Sequence, residues 1–107
     1  MDNPEIIRYA EEHSSPESEL LYAIHRTTYV TQAFPRMLSG HLQGRLLSMN
    51  SHMLQPDRIL EIGTFTGYSA LCLAEGMKSG GILYTIEINE ELEDSLKETF
   101  RKAGKGN

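Results

Sequence analysis

An apolar, β-prone run, Arg58-Ile59-Leu60-Glu61-Ile62, stops at a glycine, and a second glycine stands at position 67. The intervening Gly63-Thr64-Phe65-Thr66-Gly67 gives way to a helix-like stretch from Tyr68 to about Met77, with Ala70, Leu71, Ala74 and Met77 on one side. Gly80-Gly81 then turns the chain into a second apolar strand, Ile82-Leu83-Tyr84-Thr85-Ile86. Asn89 is placed to cap a last helix carrying Leu92, Leu96 and Phe100 at four-residue spacing. Strand, helix, strand, helix predicts a βαβ unit, in which two parallel strands are joined by a right-handed crossover. Such a unit gathers the glycine turn and the carboxyl ends of both strands at one edge of the sheet, where nucleoside-bearing ligands bind. Gly104 ends the pattern, and the sequence stops at Asn107.

Upstream of this unit the pattern predicts helices only. Asn3-Pro4 and Ser15-Pro16 each read as an N-cap followed by proline at the first helical position, where the missing N–H costs nothing. They predict a short helix near Pro4–Glu12 and a longer one near Pro16–Gln32, the latter with Leu21, Ile24 and Thr28 on one face. Pro35 interrupts. From Ser39 a third helix carries Leu42, Leu46, Met49 and Met53 as an amphipathic stripe, expected to be core or interface packing, and Pro56 closes it. With 107 residues there is room for one modest domain and not for two separate cores. Its expected organisation is a helical segment over 1–56 and a βαβα unit over 57–107.

Ten Lys and Arg against fifteen Asp and Glu leave a net charge of −5. That balance argues against nucleic acid or an anionic membrane as partner, since both attract basic patches. No apolar run approaches the roughly 18 residues a membrane helix needs. The start, Met1-Asp2-Asn3-Pro4-Glu5, is acidic where a signal peptide is basic and then apolar. A lone Cys72 builds neither an internal disulfide nor a cysteine zinc site. The expectation is a soluble cytoplasmic protein. His13, His25, His41 and His52 show no metal-ligand spacing.

The chemistry sits at the strand-to-helix turn. Glycine there lets the backbone bend sharply and lets a ligand approach where a Cβ would block it. The helix beginning near Gly67 turns free N–H groups toward the bend, which suits a carboxylate or phosphate. Glu87 ends the second strand, where an acid can accept both hydroxyls of a ribose. A dinucleotide site favours G-x-G-x-x-G, but here Phe65 occupies the second glycine position, and Glu61 would repel a pyrophosphate while attracting a cation. S-adenosylmethionine has a ribose, an ammonium, a carboxylate and a sulfonium but no phosphate, and it fits both acids and the helix terminus.

The runs Ile59-Leu60-Glu61-Ile62-Gly63-Thr64-Phe65-Thr66-Gly67-Tyr68-Ser69-Ala70 and Leu83-Tyr84-Thr85-Ile86-Glu87-Ile88 resemble the cation-dependent O-methyltransferases, relatives of caffeoyl-CoA and catechol O-methyltransferases. Met37-Leu38-Ser39 before the third helix is similar to the family segment that lies over the methionine end of the cofactor. The resemblance covers roughly residues 16–103. It implies an α/β, Rossmann-like S-adenosylmethionine-dependent methyltransferase fold, represented here by the N-terminal helices and the first βαβα unit. It gives Glu87 the ribose hydroxyls, sets Gly63, Phe65 and Gly67 along the cofactor, and packs Ile88 on the adenine. It assigns the methionine carboxylate to Ser69, and the amino end to Glu61 and the backbone near Met37 and Leu38. Family members often carry an acidic residue soon after the methionine; this chain has His41 and Leu42.

Family members are also longer, with metal-binding and catalytic residues on later strands. The resemblance therefore places the catalytic residues downstream of Asn107, and the chain reads as the N-terminal, cofactor-binding portion of an enzyme. In the complete enzyme a divalent cation such as Mg²⁺ and a small catechol-like or otherwise hydroxylated acceptor are expected. The portion itself is expected to hold no catalytic or metal-binding residue, to be inactive, and to self-associate or form a homo-oligomer. Plainer readings stand beside these. Glu61 could be a surface acid at a strand end, Glu87 an acid near the cap of the last helix, Ser69 a first-turn helix residue, Phe65 and Tyr68 packing residues, and Cys72 a small buried apolar group. At the level of function the alternatives are a fragment of an NAD-type oxidoreductase and a non-catalytic interaction module.

Overall fold

Asn3 caps the first helix, its side chain accepting from the amides of Glu5 at 2.9 Å and Ile6 at 3.4 Å. The structure, a computed structural model, describes residues 3–105. Two sequence readings fall beyond those bounds. The acidic start at Met1 and Asp2, and Asn107 as the point after which the catalytic residues are expected, lie outside the described residues.

The order of elements is α1 (Pro4–Glu12), α2 (Glu19–Thr31), a 3-10 turn (Pro35–Met37), α3 (Gly40–Leu54), β1 (Arg58–Ile62), α4 (Tyr68–Ala74), β2 (Ile82–Ile86), a second 3-10 turn (Glu90–Leu92) and α5 (Glu93–Lys102). None of these helices is long and apolar enough to cross a membrane.

Helix boundaries differ from the sequence expectation, the last one included: Asn89 caps the second 3-10 turn, accepting from the Glu91 amide at 3.0 Å, and α5 starts only at Glu93. α2 starts at Glu19, because the Ser18 hydroxyl, not Ser15, accepts from an amide of the first turn, that of Leu21 at 3.1 Å. α4 ends at Ala74, short of Met77, as the chain turns through Gly76. The strands run as read and pair in parallel, from Arg58 opposite Ile82 to Ile62 opposite Ile86. Beyond β1 the Ile86 carbonyl accepts from the amides of both Gly63 (2.7 Å) and Thr64 (3.2 Å), so the turn is anchored to the end of β2.

The core lies between α2 and α4, where Leu21, Ile24, Tyr68, Leu71 and Cys72 are buried together. Leu20, Leu38, Leu47, Phe100 and Ala103 close around them. The expected face of α2 is the buried one, Leu21, Ile24 and Thr28.

α3 corrects the expectation that its stripe packs in the core of this chain. Leu46, Met49 and Met53 are all more than half exposed, and the buried positions are Gly44, Ser48 and Ser51. The reason is the closeness of α3 to the α4 segment. A Cβ on Gly44 would stand 2.7 Å from Tyr68 Cε1 and 2.8 Å from Cys72 Sγ, and one on Gly76 would stand 2.2 Å from the His52 backbone nitrogen. Only small side chains fit where the two helices come closest, and several polar side chains pair across the seam. Ser51 Oγ donates to the Leu73 carbonyl at 2.5 Å, Ser48 Oγ donates to Glu75 at 2.7 Å, and Arg45 grips both Glu75 oxygens at 3.1 and 2.8 Å.

Burial pushes the Cys72 thiol up to about 11, against the opposing pull of the Arg45 guanidinium. For Glu75, burial raises the carboxyl, but the hydrogen bonds from Arg45 and Ser48 and the Arg45 charge outweigh it and hold the group below the usual carboxylate range. On the sheet, one face stays open. Leu60, Ile62, Ile82, Tyr84 and Ile86 are all exposed, whereas the alternate residues Ile59, Glu61, Leu83 and Thr85 are partly covered.

Candidate functional site

The parallel register sets Glu61 of β1 opposite Thr85 of β2, on the partly covered face. Thr85 Oγ1 donates to Glu61 Oε1 at 2.8 Å, and Ser69 Oγ, in the first turn of α4, donates to Glu61 Oε2 at 2.5 Å. Thr64, buried in the turn, is 2.6 Å from Thr85 Oγ1. A hydroxyl has one proton, and Thr85 gives its own to Glu61. Thr64 is therefore the donor to Thr85, and the relay runs Thr64 to Thr85 to Glu61. The ion pairs among the described residues do not include Glu61. Its oxygens meet neutral hydroxyls only, and its charge is free to attract a cation.

Glu87, immediately after β2, is the second acid at this edge. Its Oε1 accepts from the Phe65 amide at 2.7 Å and its Oε2 from the Asn89 amide at 3.1 Å. Each carboxylate oxygen has room for two hydrogen bonds, so each retains a place for a further donor. Phe65 itself sits at φ +50°, in the left-handed region, and the Glu87 bond holds it there. Gly63 is also left-handed (φ +92°) and exposed, with nothing within 4 Å of where a Cβ would be, so backbone lies open on this side of the turn. Gly67 differs. It is buried, and a Cβ there would stand 3.2 Å from Phe100 Cε1 of α5, so it shapes the turn from inside.

The N-terminal helices hold the same turn from the other side. Thr28 of α2 and Thr66 are hydrogen-bonded through their hydroxyls at 2.9 Å. Tyr68 donates its hydroxyl proton to Glu17, just ahead of α2. Burial and that hydrogen bond raise the Tyr68 phenol above its ordinary value.

Of the residues singled out in the sequence, the structure brings Glu61 and Ser69 into direct contact, and ties Phe65 to Glu87. Met37 closes the first 3-10 turn with its side chain 65% exposed, while Leu38 packs on the core. Ile88 is 93% exposed. Sequence reasoning missed Thr64 and Thr85; the signal available was the strand register that pairs positions 61 and 85.

The profile of the O-methyltransferase family matches residues 11–107. This chain belongs to the O-methyltransferase family. Over 67 residues it is 54% identical to the O-methyltransferase ankF of Aspergillus thermomutatus, a match covering 62% of this chain and 28% of that protein. Over 88 residues it is 31% identical to the catechol O-methyltransferase of Mus musculus, covering 80% of this chain and 32% of that protein. The crystal structure of the SAH-bound methyltransferase PaMTH1 of Podospora anserina is similar over 100% of this chain and 48% of its own, with a TM-score of 0.88 and 28% identity. The chain thus spans about a third or less of these curated relatives and about half of the solved structure. The helices and small parallel sheet are accordingly a partial Rossmann-like methyltransferase fold, as the O-methyltransferase sequence motifs imply. Within it, Glu61 and Glu87 flank the glycine turn at the carboxyl edge of the sheet.

Proposed function

We propose that this chain forms the S-adenosylmethionine-binding portion of an O-methyltransferase that acts on a hydroxyl of a small catechol-like or similarly hydroxylated acceptor. The observation that carries the reading is the pair of carboxylates at the turn, each held by neutral donors and neither joined to a cation among the described residues. Glu87 keeps one acceptor position on each oxygen, which suits the two vicinal hydroxyls of a ribose. Glu61 supplies uncompensated negative charge for an ammonium and, beyond it, a sulfonium. The open backbone at Gly63 and the ring of Phe65 line the cofactor between the two acids, with Gly67 shaping the bend. Ser69 donates to the methionine carboxylate, the backbone at Met37 and Leu38 closes on the amino end, and Ile88 covers the adenine. Bound S-adenosylmethionine would supply a methyl group on sulfur for attack by the acceptor oxygen. The residues of this chain bind and orient it.

A divalent cation belongs to the same proposal, as the resemblance to cation-dependent enzymes implies. The described residues do not fit one, since no group of three His, Cys, Asp or Glu side chains among them could hold a metal ion.

Calorimetric titration with S-adenosylmethionine and, separately, with NAD tests the reading. Binding of the first and not of the second is expected. Binding of NAD alone would favour the oxidoreductase alternative, and binding of neither would leave an interaction module.

A further inference from the structure

Glu61 has two donors, and they are not equivalent once a cofactor is considered. Ser69 has a single hydroxyl proton, which goes to Glu61 Oε2 in this structure. If Ser69 turns that proton to the methionine carboxylate, as the proposed function has it, Glu61 loses one of its two supports at the moment its direction matters. Thr85 has no such competing duty. Its proton goes to Glu61 Oε1 at 2.8 Å, its own lone pair is engaged by the buried Thr64 at 2.6 Å, and its Cα is fixed in the strand register opposite Glu61. The relay starts in the glycine turn, crosses to β2 and returns to β1, so it fixes the carboxylate relative to all three pieces that form the edge. Donation into Thr85 polarises its O–H toward Glu61 and strengthens the last bond of the chain.

We infer that Thr85 is a positioning residue for the cofactor's ammonium, keeping Glu61 aimed when Ser69 is drawn away, with Thr64 orienting Thr85. The inference rests on the S-adenosylmethionine reading above and goes beyond it in naming how the amino end is selected. A carboxylate held by one directed hydroxyl offers its other oxygen to a cation at a defined place; the same carboxylate without that bond samples several rotamers and loses part of the attraction.

The test compares two ligands in the 107-residue chain. S-adenosylmethionine carries the ammonium, and methylthioadenosine keeps the nucleoside and the sulfur but lacks the amino-acid part. Thr85→Val preserves shape and β-propensity while removing the hydroxyl. It is expected to raise the Kd for S-adenosylmethionine about tenfold, the scale of one hydrogen bond to a charged group, and to leave that for methylthioadenosine unchanged. Thr85→Ser, which keeps the hydroxyl, is expected to restore S-adenosylmethionine binding, and Glu61→Gln to reproduce the selective loss. Equal weakening of both ligands by Thr85→Val, or failure of Thr85→Ser to rescue, would reduce Thr85 to a structural role and overturn the inference. A selective loss in Glu61→Gln with none in Thr85→Val would overturn it while leaving the cofactor reading intact. Absence of S-adenosylmethionine binding by the unsubstituted chain, in a preparation whose near-ultraviolet circular dichroism shows the packed state, would instead overturn the proposed function itself.

Discussion

Phe65 adopts a left-handed φ that costs an L-residue roughly 1–2 kcal/mol, and its amide is the one that Glu87 Oε1 accepts. One side chain thus stabilises a strained turn while keeping acceptor positions for a ligand. In the complete enzyme, replacing Glu87 with Ala is expected to weaken S-adenosylmethionine binding by about 1.5–3 kcal/mol, the scale for losing hydrogen bonds to a charged group. Isothermal titration checks this, and an unchanged dissociation constant would remove Glu87 from the ribose. Much of this edge is legible from residue types alone. Two acids bracketing a glycine pair, with Phe65 where a dinucleotide site wants glycine, are what gives the expectation of a cation-bearing ligand in place of a phosphate-bearing one. Thr64 and Thr85 are not legible in the same way. A threonine in a β-strand is explained by propensity before anything else, and its hydroxyl acquires meaning only when the register sets it beside Glu61.

At the scale of elements, both strands, α1 and the buried face of α2 follow from local signals that agree with the tertiary packing. α3 does not, and the seam with α4 shows why. Its apolar stripe has the spacing of a core face, but the distance to α4 is set by backbone contact, and there Gly44, Ser48 and Ser51 fit where Leu46 and Met49 do not. Hydrophobic periodicity reports which side chains want burial and is silent about how near the neighbour stands. Gly76→Ala is accordingly expected to destabilise the fold by at least about 1–3 kcal/mol, the usual cost of overpacking, because the new methyl meets His52 backbone that cannot swing aside. Urea denaturation of both forms measures the difference. The same seam makes the protein acid-sensitive. Glu75 is held below its ordinary 4.5 in the folded state, so its contribution to stability is complete above that value and is lost as the pH falls through the lowered one. A series of thermal melts between neutral and acidic pH should show this loss, and Glu75→Gln should flatten it.

For the whole molecule the sheet dominates. Two parallel strands leave one apolar face exposed, with Leu60, Ile62, Ile82, Tyr84 and Ile86 side by side, and among the described residues no further strand pairs with either edge. Parallel sheets are normally covered on both faces, and open edges invite pairing with another chain. The 107-residue chain is expected to self-associate at micromolar concentration or to show weak near-ultraviolet circular dichroism. Sedimentation and spectroscopy together decide it: a monomer with sharp tertiary signals and one cooperative melt would show that these residues suffice as a domain. Such experiments need a probe of whether the packed state is present, and the molecule carries one. Cys72, its single cysteine, is 0% exposed, lies against Gly44 and has a thiol shifted away from its reactive form. An alkylating reagent reaches that sulfur only when α3 and α4 part. The pace of its labelling is then a clock for the breathing of the seam, readable by mass and needing neither cofactor nor activity.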